Sequence, residues 1–222
     1  MKKRIPLAKR LLPDYSRGEE VMNMVTHIVG GALGLTALVL CLIRSWGDPW
    51  DVAGSLVYGV CMICLYTFSS IYHGMGEGTG KKVMQIIDHC TIYFLIAGTY
   101  TPILLGAFRP VYPAICWGLF ILEWGLCLLA ATLTAIDLKK YNAFSMVCYI
   151  FMGWAVAFVI PQARQVMTGP GFLWLLWGGI AYTVGAVLYG IGSRRKWFHS
   201  VFHIFVVLGS LLQFIAILCY VL

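Results

Sequence analysis

Charge is what this chain has least of. Charged side chains make up 11% of its 222 residues, and only nine of them are acidic, where soluble proteins carry about 25% charged residues. With 60% hydrophobic residues and a mean hydropathy of +0.84, the composition excludes a disordered chain, a collagen-like fibre and a water-soluble secreted domain. Ten-residue segments of alternating polarity are also missing, which excludes a transmembrane β-barrel. The first twenty residues contain no apolar run long enough for the central region of a signal peptide, so no cleaved leader is expected. No disulfide framework is present either. All eight cysteines, Cys41, Cys61, Cys64, Cys90, Cys116, Cys127, Cys148 and Cys219, fall inside apolar runs, where thiols act as small hydrophobes. Cys61 and Cys64 form a C-x-x-C without the strand-to-helix setting of a redox motif.

What is present is a set of seven long, nearly uncharged stretches: Val21 to Ile43, Val52 to Gly76, His89 to Phe108, Pro110 to Ile136 with Glu123 inside it, Tyr141 to Ala163, Gln165 to Ser193, and Trp197 to Leu222. Each is long enough to cross a bilayer as a helix. The fold class is therefore all-α, a polytopic seven-transmembrane helix bundle in one domain over residues 1–222, preceded by a basic segment, residues 1–20. Seven crossings place thirteen of the sixteen Lys and Arg residues on the side of the N-terminus and three on the other. Excess basic charge marks the cytoplasmic face, so the N-terminus is cytoplasmic and the C-terminus outside. The +7 net charge is thus mostly topology. Spread over short loops, it makes no nucleic-acid face, and anionic inner-leaflet lipid is the expected electrostatic partner. Trp46, Trp50 and Trp197 sit where interfacial anchors belong, and Gly30 with Gly34 forms a G-x-x-x-G suited to close helix packing.

Titratable residues, in contrast, gather at one depth. His27 lies in the first turns of span one, His73 at the end of span two, His89 at the start of span three, and His199 and His203 at the start of span seven. Glu20, Asn23, Ser69 and Asp88 join them near the inner surface. Ionisable groups inside a membrane face the bundle interior and pair or line a functional cavity, so a polar chamber opening to the cytoplasm is expected. His199 and His203 are four apart and share a helix face, suited to holding one metal ion. Adding His73 gives three imidazoles with a fourth position for water, the pattern of a catalytic zinc site. Of the thiols only Cys90 shares this depth, and with no carboxylate-only set, Zn2+ is the leading metal.

Two neighbours have alternative roles open at this point. Asp88 either stabilises the N-terminal dipole of span three or acts beside the metal as a supporting group or general base. Ser69 either returns its hydroxyl to the carbonyl four residues back or serves the site. Glu20, Asn23 and His27 share one face of the first helix, as a helix-start cluster or as supporting groups around the metal. His89 points about 100° away from Asp88 on the helix and is not counted as a ligand. Glu123, near the middle of span four, is either a functional residue or a protonated packing group.

The motifs E-x-x-N-x-x-x-H (Glu20, Asn23, His27), S-x-x-x-H (Ser69, His73), the Asp88-His89 pair and H-x-x-x-H (His199, His203) together resemble the hemolysin III family, the bacterial branch of the progestin and adiponectin receptor superfamily. The resemblance runs along the whole chain. It implies a zinc ion held by His73, His199 and His203 on the cytoplasmic side, with Asp88 and Ser69 close to its water, in a multi-pass protein of the plasma (inner) membrane. It also implies relatedness to membrane metal hydrolases that include alkaline ceramidases, and so hydrolysis of a lipid amide or ester, with membrane lipid as substrate. The short N-terminal segment departs from the longer cytoplasmic domains of animal receptors. Rival readings are a receptor, sensor or homeostasis protein with structural zinc, a proton pathway through Glu123, and a cytolytic pore. Oligomeric state is not legible in the sequence.

Overall fold

The structure is a computed structural model that describes residues 7, 10–192 and 195–222. Much of the basic N-terminal segment (Lys2, Lys3, Arg4 and Lys9) and Arg194 of the sixth loop lie outside the described residues. Helix α1 runs Arg17–Arg44. Ser16 starts it with a capping box: its hydroxyl oxygen accepts from the Glu19 N–H at 3.3 Å, and its own N–H donates to the Glu19 carboxylate at 2.9 Å, satisfying two otherwise orphaned donors. Helix α2 (Pro49–Gly74) begins with Pro49 in the first turn behind Asp48, which accepts from the N–H groups of Trp50 and Asp51; both are favoured helix starts. Then follow α3 (Thr79–Pro102), a π-helical turn (Ile103–Phe108), α4 (Pro113–Ile136), α5 (Asn142–Gly153), a 3-10 turn (Ala155–Val159), α6 (Ile160–Val166), α7 (Thr168–Gly192) and α8 (Phe198–Tyr220).

With α3 and its π-helical turn taken as one stretch and α5 through α6 as another, seven stretches are long and apolar enough to cross a membrane, and no strand occurs among the described residues. Their outward faces carry Ile121, Val147, Val187 and Leu35, each more than half exposed. That surface suits hydrocarbon and not water, and the protein is a multi-pass membrane protein.

Two elements differ from the sequence reading. Helix α3 starts at Thr79, ten residues ahead of His89. Counting uncharged residues finds the part of a helix that sits in lipid, whereas the helix itself continues through Lys81 and Lys82 back to the Gly76-Glu77-Gly78 turn. Asp88 therefore lies more than two turns inside α3, too far in to stabilise the dipole at its N-terminus, an effect confined to the first turn. The fifth crossing, expected to be unbroken from Tyr141 to Ala163, is interrupted between α5 and α6. Irregular backbone inside a membrane must be satisfied by protein groups. Here the Tyr100 hydroxyl on α3 does so, accepting from the Val156 N–H at 2.9 Å and donating to the Gly153 carbonyl at 3.2 Å.

The helices form a ring. Helix α8 packs on α7 and α1, α1 on α2, α2 on α3, α3 on α4 and α5, and α5 on α7. At the α1–α2 contact, Gly30 leaves no room: a Cβ there would lie 2.4 Å from the Tyr66 ring. Tyr66 in turn donates to the Ser210 hydroxyl on α8 at 2.7 Å. Gly30→Leu should therefore separate α1 from α2 and cost about 1–3 kcal/mol, the usual range for overpacking. Thermal unfolding in detergent would check this, with Gly118→Leu, where nothing lies within 4 Å of the Cβ position, as the neutral comparison.

Candidate metal centre

Three histidines from two helices meet near the inner end of the bundle. One ligand nitrogen from each of His73, His199 and His203 falls within 4.8 Å of the others, and all three residues are buried. The four-residue spacing on α8 puts the Nε2 atoms of His199 and His203 3.0 Å apart. Two imidazole nitrogens on a tetrahedral zinc, each about 2.0–2.1 Å from the ion, stand roughly 3.3 Å apart, so this pair needs little adjustment to share a cation.

Tautomers support the same fit. The Nδ1 of His203 is 3.3 Å from the Asn23 carbonyl, which can only accept, so Nδ1 carries the proton and Nε2 offers its lone pair. The Nδ1 of His73 lies 2.6 Å from the Glu20 carboxylate, which fixes the same tautomer there. Its Nε2 is buried without a hydrogen-bond partner, a costly condition unless a ligand completes it. The donor set thus fits a divalent cation that prefers imidazole.

Around this set stand the other candidate residues. Asn23 comes within 3.4 Å of His73 Nδ1 through its amide nitrogen. His27 stacks on His203 with ring centroids 3.7 Å apart, and neither of its nitrogens has a partner. The Ser69 hydroxyl is buried and unpartnered too, so it makes no bond back to the carbonyl of Leu65. Asp88 is outside the converging group; its Oδ2 is 3.8 Å from His89 Nδ1. His89 itself bonds the Gln85 carbonyl at 2.8 Å and the Tyr189 hydroxyl at 3.3 Å. Cys90 is engaged with the Ala131 carbonyl. Glu123 is fully buried on α4 with neither oxygen paired, and it does not line the chamber described next.

That chamber is a cavity of about 170 Å³. His27, Ser69, Asp88, His199 and His203 form its polar end, and Leu65, Ile92, Leu95, Ile96, Phe172 and Leu175 are among the apolar side chains of its wall. Along α8 its lining runs from His199 to Gln213, about 21 Å of helix at 1.5 Å per residue. An apolar cavity with a few convergent polar groups at one end is the usual form of a small-molecule site.

Over the histidines lies a segment whose role the sequence did not reveal. Tyr15 stacks on His199 at 4.8 Å, and the Trp197 N–H donates to Glu19 Oε1 at 2.7 Å, pinning the start of α1 to the start of α8. Trp197 takes a left-handed conformation to do so, with φ of 68°. Burial, with Tyr189 and the carboxylates of Glu20, Asp88 and Glu19 nearby, pushes the Tyr15 phenol well above its usual range, so it remains a neutral hydrogen-bond donor. Lys81 was also missed. Counted as a loop charge, it is in fact buried in the first turn of α3, with Nζ 2.6 Å from Glu20 Oε1. The one signal for it is its position eight residues before the apolar run that begins at His89, which is equally that of a solvated lysine.

This arrangement and the order of the motifs agree with sequence comparison. Residues 15–214 match the family described as "Haemolysin-III related". The chain belongs to the haemolysin III family. Among curated proteins, it is 35% identical over 204 residues to a "Hemolysin-3 homolog" of Bacillus subtilis, covering 91% of this chain and 94% of that protein. It is 36% identical over 206 residues to "Hemolysin-3" of Bacillus cereus, covering 92% of each. A more distant relative is the human "Monocyte to macrophage differentiation factor", 25% identical over 214 residues, with 90% of this chain and 83% of that protein covered. A bacterial plasma membrane is consistent with these relatives.

Proposed function

We propose that the protein is a zinc-dependent hydrolase of a lipid amide or ester, working at the cytoplasmic side of the membrane. The observation that carries the reading is a convergent trio of imidazoles, two of which, His199 and His203, line the polar end of a long apolar cavity. A closed structural site would have a fourth protein ligand; Glu20 is engaged by His73 Nδ1 and Lys81, and Asp88 lies in the cavity wall outside the converging set. When bound, zinc supplies Lewis acidity toward a carbonyl and eases ionisation of water at neutral pH. The chain's own residues do the rest. Apolar walls take the hydrocarbon part of the substrate from the lipid phase. Asp88 receives the proton of the attacking water and returns it to the leaving group, general acid–base work for which a carboxylate at the cavity surface is suited. Ser69, with its free hydroxyl, donates to the reacting carbonyl. Three neutral imidazoles leave the charge of a divalent ion uncompensated, so Glu20 behind His73 and Asp88 across the cavity also balance it.

Topology gives the cytoplasmic assignment, since the basic loops flank the histidine end of the bundle. Those same charges would hold anionic inner-leaflet lipid against the cavity mouth.

Gly179 allows a test of the substrate class. It lines the cavity, and nothing lies within 4 Å of its Cβ position, so a larger side chain there fills space without touching a histidine. Purified protein in lipid vesicles should release product from fluorogenic long-chain amides or esters, stop on chelation and resume with zinc. Gly179→Phe should lower kcat/KM for long chains at least tenfold and leave short-chain substrates little changed. Absence of any chelator-sensitive hydrolysis would remove the enzyme reading and favour a receptor or sensor with a structural ion.

A further inference from the structure

Behind His73, on the side away from the cavity, three helices meet at a buried chain of polar atoms. Glu20 on α1 stands between His73 on α2 and Lys81 on α3. Its Oε2 is 2.6 Å from His73 Nδ1, and its Oε1 is 2.6 Å from Lys81 Nζ. Lys81 makes a second bond, 2.9 Å, to the carbonyl of Met75 just past the end of α2, and its ammonium lies 5.4 Å from the centre of the Tyr72 ring. It is 5% exposed, an unusual position for a lysine unless its charge is paired.

We propose that Glu20 and Lys81 act as a positioning pair that sets the orientation and tautomer of His73, holding its Nε2 toward the point where the three imidazoles converge. The inference deepens the metal-site reading above and rests on it. Two groups compete for His73 Nδ1: the Glu20 carboxylate at 2.6 Å and the Asn23 amide nitrogen at 3.4 Å. One nitrogen cannot donate to the first and accept from the second. The shorter contact with a charged acceptor prevails, which puts the proton on Nδ1 and the lone pair on Nε2, the atom that has no other partner. A carboxylate behind a ligating histidine both fixes the ring and raises its basicity.

Lys81 is needed because Glu20 has an alternative. Its side chain is 19% exposed, so without a counter-charge the carboxylate would turn to water and release the ring. The ammonium engages Oε1 and leaves Oε2 for His73, so one contact sets the direction of the other. Removing Lys81 therefore acts on the metal only through Glu20.

Zinc affinity of the purified full-length protein, measured by competition with a chromogenic chelator, tests this together with 15N-histidine NMR of the metal-free protein. Glu20→Ala should weaken zinc binding 10–100-fold, the usual effect of losing such a partner. Lys81→Met should weaken it less, and should add nothing in the Glu20→Ala background. In the NMR spectrum, His73 should be the Nδ1–H tautomer in the native chain and a mixture in Glu20→Ala. Folded Glu20→Ala protein with native affinity would overturn the proposal. So would an equal effect of Lys81→Met with and without Glu20. If the native chain binds no zinc, the metal-site reading falls on its own. The tautomer then still decides the positioning claim: Nδ1–H lost in Glu20→Ala upholds it, and Nε2–H in the native chain overturns it.

Discussion

Alanine at His73, His199 and His203 together should leave the purified protein without bound zinc, whereas the native chain should carry about one equivalent per polypeptide. The expectation follows from counting donors. Among the described residues these three are the set whose ligand nitrogens converge, and Cys90, the thiol nearest in depth, is committed to the Ala131 carbonyl. With the three imidazoles gone, the His27 ring and the carboxylates of Glu20 and Asp88 remain near the site, and zinc held by a single imidazole, carboxylates and water is bound far more weakly. His203→Ala alone should also fail to retain zinc through purification. It removes one of the two nitrogens that stand 3.0 Å apart, and the ring on which His27 stacks. Elemental analysis of detergent-purified protein gives the answer, with elution as a single folded species as the control. Retention of zinc by the triple variant would place the ion elsewhere.

Asp88→Asn should behave in the opposite sense, keeping the zinc and losing turnover by about 10²–10⁴-fold, the typical worth of a general acid–base group. Asparagine preserves shape and removes only the capacity to take a proton. Asp88 lines the same cavity as Ser69, His199 and His203 yet stands outside the group of converging ligand atoms, so its loss should leave the metal content close to native. Elemental analysis beside the vesicle assay separates the two effects. Zinc loss as severe as in His203→Ala would instead make Asp88 a ligand.

Most of the architecture could be read in the chain because it depends on local and additive properties. Seven stretches without charge give seven crossings, and the imbalance of lysine and arginine orients them. The histidines were legible for a related reason: four-residue spacing places His199 and His203 on one face, and alternating crossings return His73 to the same depth. What escaped depends on contacts between helices far apart in sequence. Nothing local marks the break after Gly153, whose freed backbone groups are satisfied by Tyr100, 53 and 56 residues away. Asp88 was placed at a helix start because hydropathy reports the lipid boundary and not the hydrogen-bonded end of α3. By hydropathy Lys81 falls in the loop between the second and third spans, and Tyr15 in the polar segment ahead of the first. Only the folded chain shows one buried against Glu20 and the other laid over His199.

The tie between Tyr66 and Ser210 has a bearing on how an ion at the three histidines would be held. Ser210 also meets the Tyr182 hydroxyl at 2.6 Å, so α2, α7 and α8 are knotted together about two turns deeper than the histidines, by groups that need no cation. The helices that supply all three ligands are thereby already registered before any ion arrives. The scaffold resembles a socket moulded in advance: withdrawing the divalent ion proposed for it, or exchanging that ion for another, should leave the bundle folded.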